Sequence, residues 1–450
     1  MIKVIEYNLE NENVINQKFK SRNDQFYQQF SKPVPANKKI FGQALSSVES
    51  VRKILEDIEN NGDEAVVKYS KIFDGIDPTP FKIEKKIIQN ASRKISTDII
   101  DALSKSIKNV SEYQKRTIPQ ELQMKKNGNS ISGAIFQAIE RVGIYIPGGT
   151  AALCSSVIMN ALPAIVAGVP EVVVFTPPKK DGSIDDGILA ACEMIGVKDV
   201  YRIGGVMAIG MMAYGTSSFK KVDKIAGPGN SFVALAKKEV VGRVDIDLFA
   251  GPSEVLIIAD ESGKPHFIAA DMLAQAEHDS MASAILITTS AKLANDVNME
   301  LKKQLEVLPR KKIATESILN FGTIVVVDNL NTAVSLSNSV APEHLELCVS
   351  NPHILIKKIK NAGAIFIGHY TPEAAGDYIS GPSHTLPTSG TGRFYSGVSA
   401  ATFMRRTSLI EYSKSDFQKE AMSVATLAKL EQLEGHARSA LIRMEGYTNE

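Results

Sequence analysis

The chain has no tryptophan, only three cysteines and charges that nearly cancel. With 51 basic against 50 acidic residues the formal net charge is +1, which leaves no basic footprint for nucleic acid. Cys154, Cys192 and Cys348 are scattered and form no paired motif, which indicates a reducing compartment rather than a disulfide framework. A long apolar run is missing too. The most apolar stretch, residues 157–175, is interrupted by Asn160, Pro163, Pro170 and Glu171 and cannot span a bilayer. The first residues show no charged region leading into an apolar run, so no signal peptide is expected. A soluble, cytoplasmic protein with neither nucleic-acid nor membrane partners is the expectation. What is present is 44% hydrophobic residues over 450 positions, enough for two or more domains with sizeable cores.

Residues 1–40 carry no sustained period and read as an extended arm or a weak helix. Helical spacing then sets in. Val48, Val51, Ile54, Leu55 and Ile58 form one apolar stripe, Gly62-Asp63 breaks it, and Ile99, Leu103, Ile107 and Val110 form a later one. Between 140 and 255 short β-branched strands alternate with helices, which predicts βαβ units and a parallel sheet. Three of these strands end in glycine-rich turns that open helices: Pro147-Gly-Gly149, Gly204-Gly205 and Gly227-Pro-Gly-Asn230. Such turns can bring backbone N–H groups to an anion such as a pyrophosphate. None is the G-x-G-x-x-G fingerprint, and each alone would serve equally to close a tight turn. A second strand set follows at 255–259, 284–288, 323–327, 345–349 and 364–367. From Ser413 a long amphipathic helix with Phe417, Val424, Leu427 and Leu430 runs to Glu434-Gly435-His436.

Chemistry concentrates late in the chain. Gln275 and His278 stand three apart near a helix end, a spacing that puts two donors on one face. Asp377 and His436 add a carboxylate and a second imidazole. Nitrogen and oxygen donors without thiolate suit Zn²⁺, Mn²⁺ or Co²⁺. The adjacent pair Glu343-His344, entering a strand after Pro342, offers a carboxylate to activate water and a base that titrates near neutrality. His384 adds a polar group beyond Asp377.

The motifs Gly143-Ile-Tyr-Ile-Pro-Gly-Gly149, Gly227-Pro-Gly-Asn230, Ala250-Gly-Pro-Ser-Glu-Val255, Gln275-Ala-Glu-His278, Pro342-Glu-His-Leu345 and Gly376-Asp377 occur in that order. Together with His384 and the stretch from Glu431 to His436, they resemble the histidinol dehydrogenase family from about residue 40 to the end. The resemblance implies an α/β fold of two Rossmann-like domains with parallel sheets, one inserted in the other, plus an extended N-terminal arm and a helical C-terminal tail. The implied divisions are an arm of 1–40, a catalytic domain of 41–142 and 254–397, an inserted nucleotide-binding domain of 143–253 and a dimerisation tail of 398–450. It implies a zinc-dependent, four-electron oxidation of L-histidinol to L-histidine with two NAD. Zinc would be held by Gln275, His278, Asp377 and His436. Glu343 would activate water, His344 would serve as base, and Ser253, His344, His384 and Glu431 would contact substrate beside the metal donors. Tyr145 and Asn230 would contact NAD. At a third NAD position this chain carries Met207 where the family usually has glutamine, and a thioether donates no hydrogen bond. A homodimer whose tail completes the neighbour's site would give the amphipathic helix a docking surface. Other readings are a related dehydrogenase of another amino alcohol or diol, a metal- and nucleotide-binding protein without turnover, and a zinc hydrolase using Glu343.

Overall fold

Continuous apolar strands need cover on both faces, and the chain supplies it by alternating them with helices. The computed structural model describes residues 2–8, 15, 19, 28, 30–125, 130–148, 153–249 and 251–444. Gly149, the helix start expected at Ala151, Ala250 and most of the expected arm between 9 and 29 lie outside the described residues. The described strands begin with β1 (Val4–Glu6), β2 (Leu122–Lys125), β3 (Ile131–Ala138), β4 (Arg141–Tyr145), β5 (Glu171–Phe175), β6 (Asp199–Tyr201), β7 (Lys224–Ala226) and β8 (Asp245–Ile246). They continue with β9 (Glu254–Ala259), β10 (Ser283–Thr288), β11 (Thr323–Val326), β12 (His344–Cys348), β13 (Ala364–Ile367) and β14 (Met404–Glu411).

The chain divides into two compact units, Met1–Thr117 with Ile139–Phe403, and Ile118–Ala138 with Met404–Glu450. The first holds two all-parallel sheets. One has the order β1-β11-β10-β9-β12-β13, the other β6-β5-β4-β7-β8. In each the chain winds outward in one direction and then restarts on the far side, between β4 and β7 and between β9 and β12. Such switch points leave a crevice where neighbouring connections diverge. Every residue of β9 and β10 is buried, as a doubly covered parallel sheet requires. This architecture is the expected α/β fold with two Rossmann-like parallel sheets.

The early helix runs from Ser47 to Phe73, opened by a reciprocal capping box between Ser46 and Glu49. The break expected at Gly62 is a kink inside it, with Gly62 at φ 55° and ψ −127°. The stripe Val51, Ile54, Leu55 and Ile58 shares a core with the five-stranded sheet and with the helix Gly205–Tyr214.

The second unit pairs β14 with β3 and β3 with β2, all antiparallel, followed by the helices Lys414–Leu430 and Glu434–Leu441. Sequence periodicity passed over the β2–β3 hairpin. Helix Lys414–Leu430 buries Ala421, Ala425 and Ala428 and leaves Met422, Val424, Leu427 and Leu430 exposed.

Candidate functional site

Helix Pro265–Ala276 starts with proline at its first turn, where the missing N–H costs nothing, and buries Ile268, Met272 and Leu273. Helical bonding stops at Ala276, one turn sooner than the Gln275–His278 spacing suggests. The next turn is closed by the His278 N–H, which donates to the Gln275 carbonyl at 3.2 Å. Gln275 is therefore buried while His278 reaches the exposed rim. Two residues before the helix Glu373–Tyr378, a hydrogen-bonded turn brings the chain round so that Asp377 faces this rim. Ligand atoms of His278, Glu373 and Asp377 lie within 4.8 Å of one another.

Glu343 and His344 enter β12 in extended backbone, yet both face the cleft because Pro342 and the left-handed Ala341 (φ 52°) turn the chain just before them. Their backbone is held closely: a Cβ on Gly363 would stand 2.5 Å from the Glu343 carbonyl oxygen. The Glu343 carboxylate accepts the Glu254 N–H at 2.8 Å. His344 Nδ1 lies 2.9 Å from the Glu254 carbonyl, which can only accept, so the proton resides on Nδ1. The lone pair of Nε2 is thereby turned toward the cleft. That nitrogen is buried and has no hydrogen-bond partner among the described residues, with Asp377 Oδ1 4.0 Å away. Burial pushes the His344 imidazole down to about 4 and the Asp377 carboxyl up to about 6. Glu373 is pushed well above the ordinary carboxylate range, by burial first and then by the charge of Asp377.

His384 is fixed at both nitrogens. Nδ1 donates to the Asp377 carbonyl at 3.1 Å, and Nε2 accepts from the Ser156 hydroxyl at 3.2 Å. Burial holds this imidazole down at about 4 as well.

These groups line a cavity of about 500 Å³ together with the turns of the five-stranded sheet. Pro147, Pro228, Gly229, Asn230 and Ser231 reach it, as do Ser155 and Ser156 at the start of helix Cys154–Val166 and Ser253 before β9. Two helix N-termini thus meet the cavity, an arrangement that favours an anion. Gly227 adopts φ 111°, and a Cβ there would stand 2.1 Å from the Tyr145 carbonyl oxygen, so only glycine lets the two turns approach. Asn230 caps helix Ser231–Glu239 by accepting from Phe232 and Val233 N–H, both at 3.1 Å.

Of the residues predicted from sequence, Gln275, His278, Glu343, His344, Asp377, His384, Ser253 and Asn230 all line this cavity. Tyr145 and Met207 do not. The Tyr145 hydroxyl lies behind the turn, accepting the Gly205 N–H at 3.1 Å, and Met207 is buried in the core. Glu431 and His436 belong to the second unit, where both are exposed.

The sequence model of histidinol dehydrogenase matches residues 41–444. The chain belongs to the histidinol dehydrogenase family. It is 45% identical to a histidinol dehydrogenase of Clostridium acetobutylicum over 398 residues, 88% of this chain and 92% of that one. It is likewise 45% identical to one of Bacillus subtilis over 391 residues, 87% and 92% of the two chains. A crystal structure of histidinol dehydrogenase from Elizabethkingia anophelis superposes with a TM-score of 0.88 at 34% identity, covering 98% of each chain. As a member of the histidinol dehydrogenase family the protein is an oxidoreductase. Among the described residues no helix is long and apolar enough to cross a membrane.

Sequence reasoning missed Glu373, Glu254 and Ser156. Glu373 did leave a signal, since it stands four before Asp377, the spacing that stacks side chains on one helix face. Glu254 acts through its backbone, which no motif marks.

Proposed function

We propose that the protein oxidises L-histidinol through the aldehyde to L-histidine, passing one hydride to each of two NAD molecules. The observation that carries this reading is the His344 tautomer, with Nδ1–H tied to Glu254 and the Nε2 lone pair facing the cavity.

The donor set fits a borderline divalent cation: an imidazole, a carboxylate and a buried amide converge beside acids whose charge burial disfavours. Gln275, His278 and Asp377 would hold zinc, with His436 of a second copy of the chain. When bound, zinc would orient the substrate and polarise its oxygen. His344 takes the hydroxyl proton as the first hydride leaves the carbinol carbon. Glu343 then draws a proton from water as it attacks the aldehyde, and His344 takes the hydroxyl proton of the hydrate as the second hydride leaves. Water supplies the second carboxylate oxygen, and one base serves both oxidations. His384 and Ser253 would hold the substrate, with Glu431 of the second copy. The turns around Tyr145 and Asn230 would cradle the dinucleotide, helped by the two helix N-termini. The exposed apolar side chains of helix Lys414–Leu430 support a homodimer that covers them.

Purified protein given L-histidinol and NAD should yield two NADH per histidinol with little free aldehyde. One NADH per substrate with accumulating aldehyde would overturn the reading, as would no turnover of histidinol at all.

A further inference from the structure

Gln275 is 1% exposed, and a buried primary amide must satisfy two donors and an acceptor. Its nitrogen faces Glu373: with the amide in the orientation that satisfies both partners, Nε2 donates to the two carboxyl oxygens at 2.5 and 2.7 Å. An amide presents its oxygen and nitrogen in opposed directions, so committing Nε2 to Glu373 turns Oε1 away from that acid. Without such an anchor the two faces of the amide are nearly isosteric, and either could point into the cavity.

Glu373 is itself held from behind. It is 2% exposed, and its backbone N–H donates to Glu346 Oε1 at 3.0 Å. Glu346, 1% exposed in β12, sits beside Asp271, and burial together with the charge of that neighbour pushes the Glu346 carboxyl well above the ordinary carboxylate range. Asp271 lies one turn before Gln275 on the same helix. The contacts therefore close a ring, from Gln275 through Glu373 and Glu346 to Asp271 and back along the helix to Gln275. Nothing in that ring needs Glu373 to touch substrate.

We propose that Glu373 is a positioning residue: by fixing the Gln275 amide it presents Oε1, and not the N–H₂ group, to the metal. The inference rests on the reading of Gln275 as a metal donor. A partner of this kind typically contributes 10- to 100-fold to metal affinity.

Cobalt(II) is the probe, because its visible absorption reports ligand identity directly and independently of turnover. Metal-stripped full-length protein is titrated with Co²⁺. Glu373→Leu should bind it about 10- to 100-fold more weakly, with an altered absorption band. Glu373→Gln keeps an acceptor for Nε2 and should recover most of the affinity and the wild-type band. Combined with Gln275→Ala, Glu373→Leu should add almost nothing, because the residue acts through an amide no longer there. Circular dichroism checks folding, and Glu373→Ala replaces the leucine variant if that one does not fold. Wild-type affinity in both truncations would overturn the proposal. So would a Glu373→Gln as weak as Glu373→Ala, or additive losses with Gln275→Ala, since either outcome makes Glu373 a ligand in its own right. A wild-type protein that binds no Co²⁺ would remove the metal-donor reading itself, and the proposal with it.

Discussion

The two walls of the cavity are built from opposite edges of their sheets. The wall from the five-stranded sheet offers the turns that follow β4 and β7, at the carboxyl edge, and meets the cavity with backbone and helix N-termini. The wall from the six-stranded sheet offers Ser253 and Glu343-His344, at the amino edge just before or at the start of β9 and β12, and meets it with side chains. The carboxyl edge is where parallel sheets usually bind ligands, since helix N-termini gather there. The amino edge gathers helix C-termini instead, which suits cations: helix Pro265–Ala276 ends at Gln275 and His278. One scaffold type thus presents opposite ends of its helices to the two sides of the cavity, a polarity that suits an anion at one wall and a cation at the other.

Breaking the side-chain wall should have the largest effect. His344→Asn should slow both oxidations on the order of 10²–10⁴-fold, whereas Glu343→Gln should spare the alcohol step and slow the aldehyde step. Separate rates with histidinol and histidinaldehyde measure this. Equal losses for Glu343→Gln in the two steps would dissolve the division of labour.

The backbone wall should break through its support. Lys237, 3% exposed, donates to the Gly227 carbonyl at 2.9 Å and to Asp247, which also accepts the Gly227 N–H at 2.8 Å. Lys237→Met strands a buried carboxylate, and should cost about 3–5 kcal/mol in denaturant unfolding. The apparent KM for NAD should rise more than that for histidinol. A parallel rise in both would mean that this pair does not serve the nucleotide side selectively.

Acid should act on the side-chain wall first. His344 and His384 are held down at about 4, below the ordinary histidine value of about 6.5. Above pH 6.5 both are neutral folded or unfolded and contribute nothing to a pH slope. Between about 6.5 and 4 the unfolded chain binds the protons and the folded one does not, so stability falls with pH and levels off below 4. Asp377, raised to about 6, works in the opposite sense over roughly the same window. Glu373, also raised, works in the same sense as Asp377, so the histidine contribution is read by difference: between pH 7 and 4.5 the Tm of metal-free His384→Asn should fall less, or rise more, than that of the metal-free wild type. An unchanged slope would show that the histidine is not the group titrating.

The smallest effect belongs to Met207. A buried amide there would lack partners, so Met207→Gln should cost about 1–3 kcal/mol of stability. NAD affinity, read by calorimetry, should barely move. A clear tightening would mean that this helix turns its side chain toward the cofactor.

The side-chain wall was readable in sequence because its groups come in adjacent or helical spacings, such as Glu343-His344 and Gln275 with His278. The parallel sheets were equally plain, since buried strand segments such as 255–259 are apolar throughout. The end of helix Pro265–Ala276 was not legible, because its apolar period gives no sign of where helical bonding stops. Nor was the contact of Glu373 with Gln275, which its spacing from Asp377 does not mark, or the support under Gly227, since their partners lie far away in the chain or on the backbone. The β2–β3 hairpin escaped because six of the eight β3 residues are half-buried, spread over both faces, which erases the alternation that marks a strand.

Strand β1 occupies one edge of the six-stranded sheet, where Val4 lies opposite Ile324. A ribosome adds about 5–20 residues each second, so β1 waits on the order of 15–60 s for its partner to be made. Meanwhile β4–β8 can assemble, and β9 can pair with β10. The earliest of the described strands is thus among the last of them to be seated. Until β11 is made, the apolar Ile2, Val4 and Ile5 stay open to chaperones and proteases, which read exposed strands of this kind before the sheet can cover them.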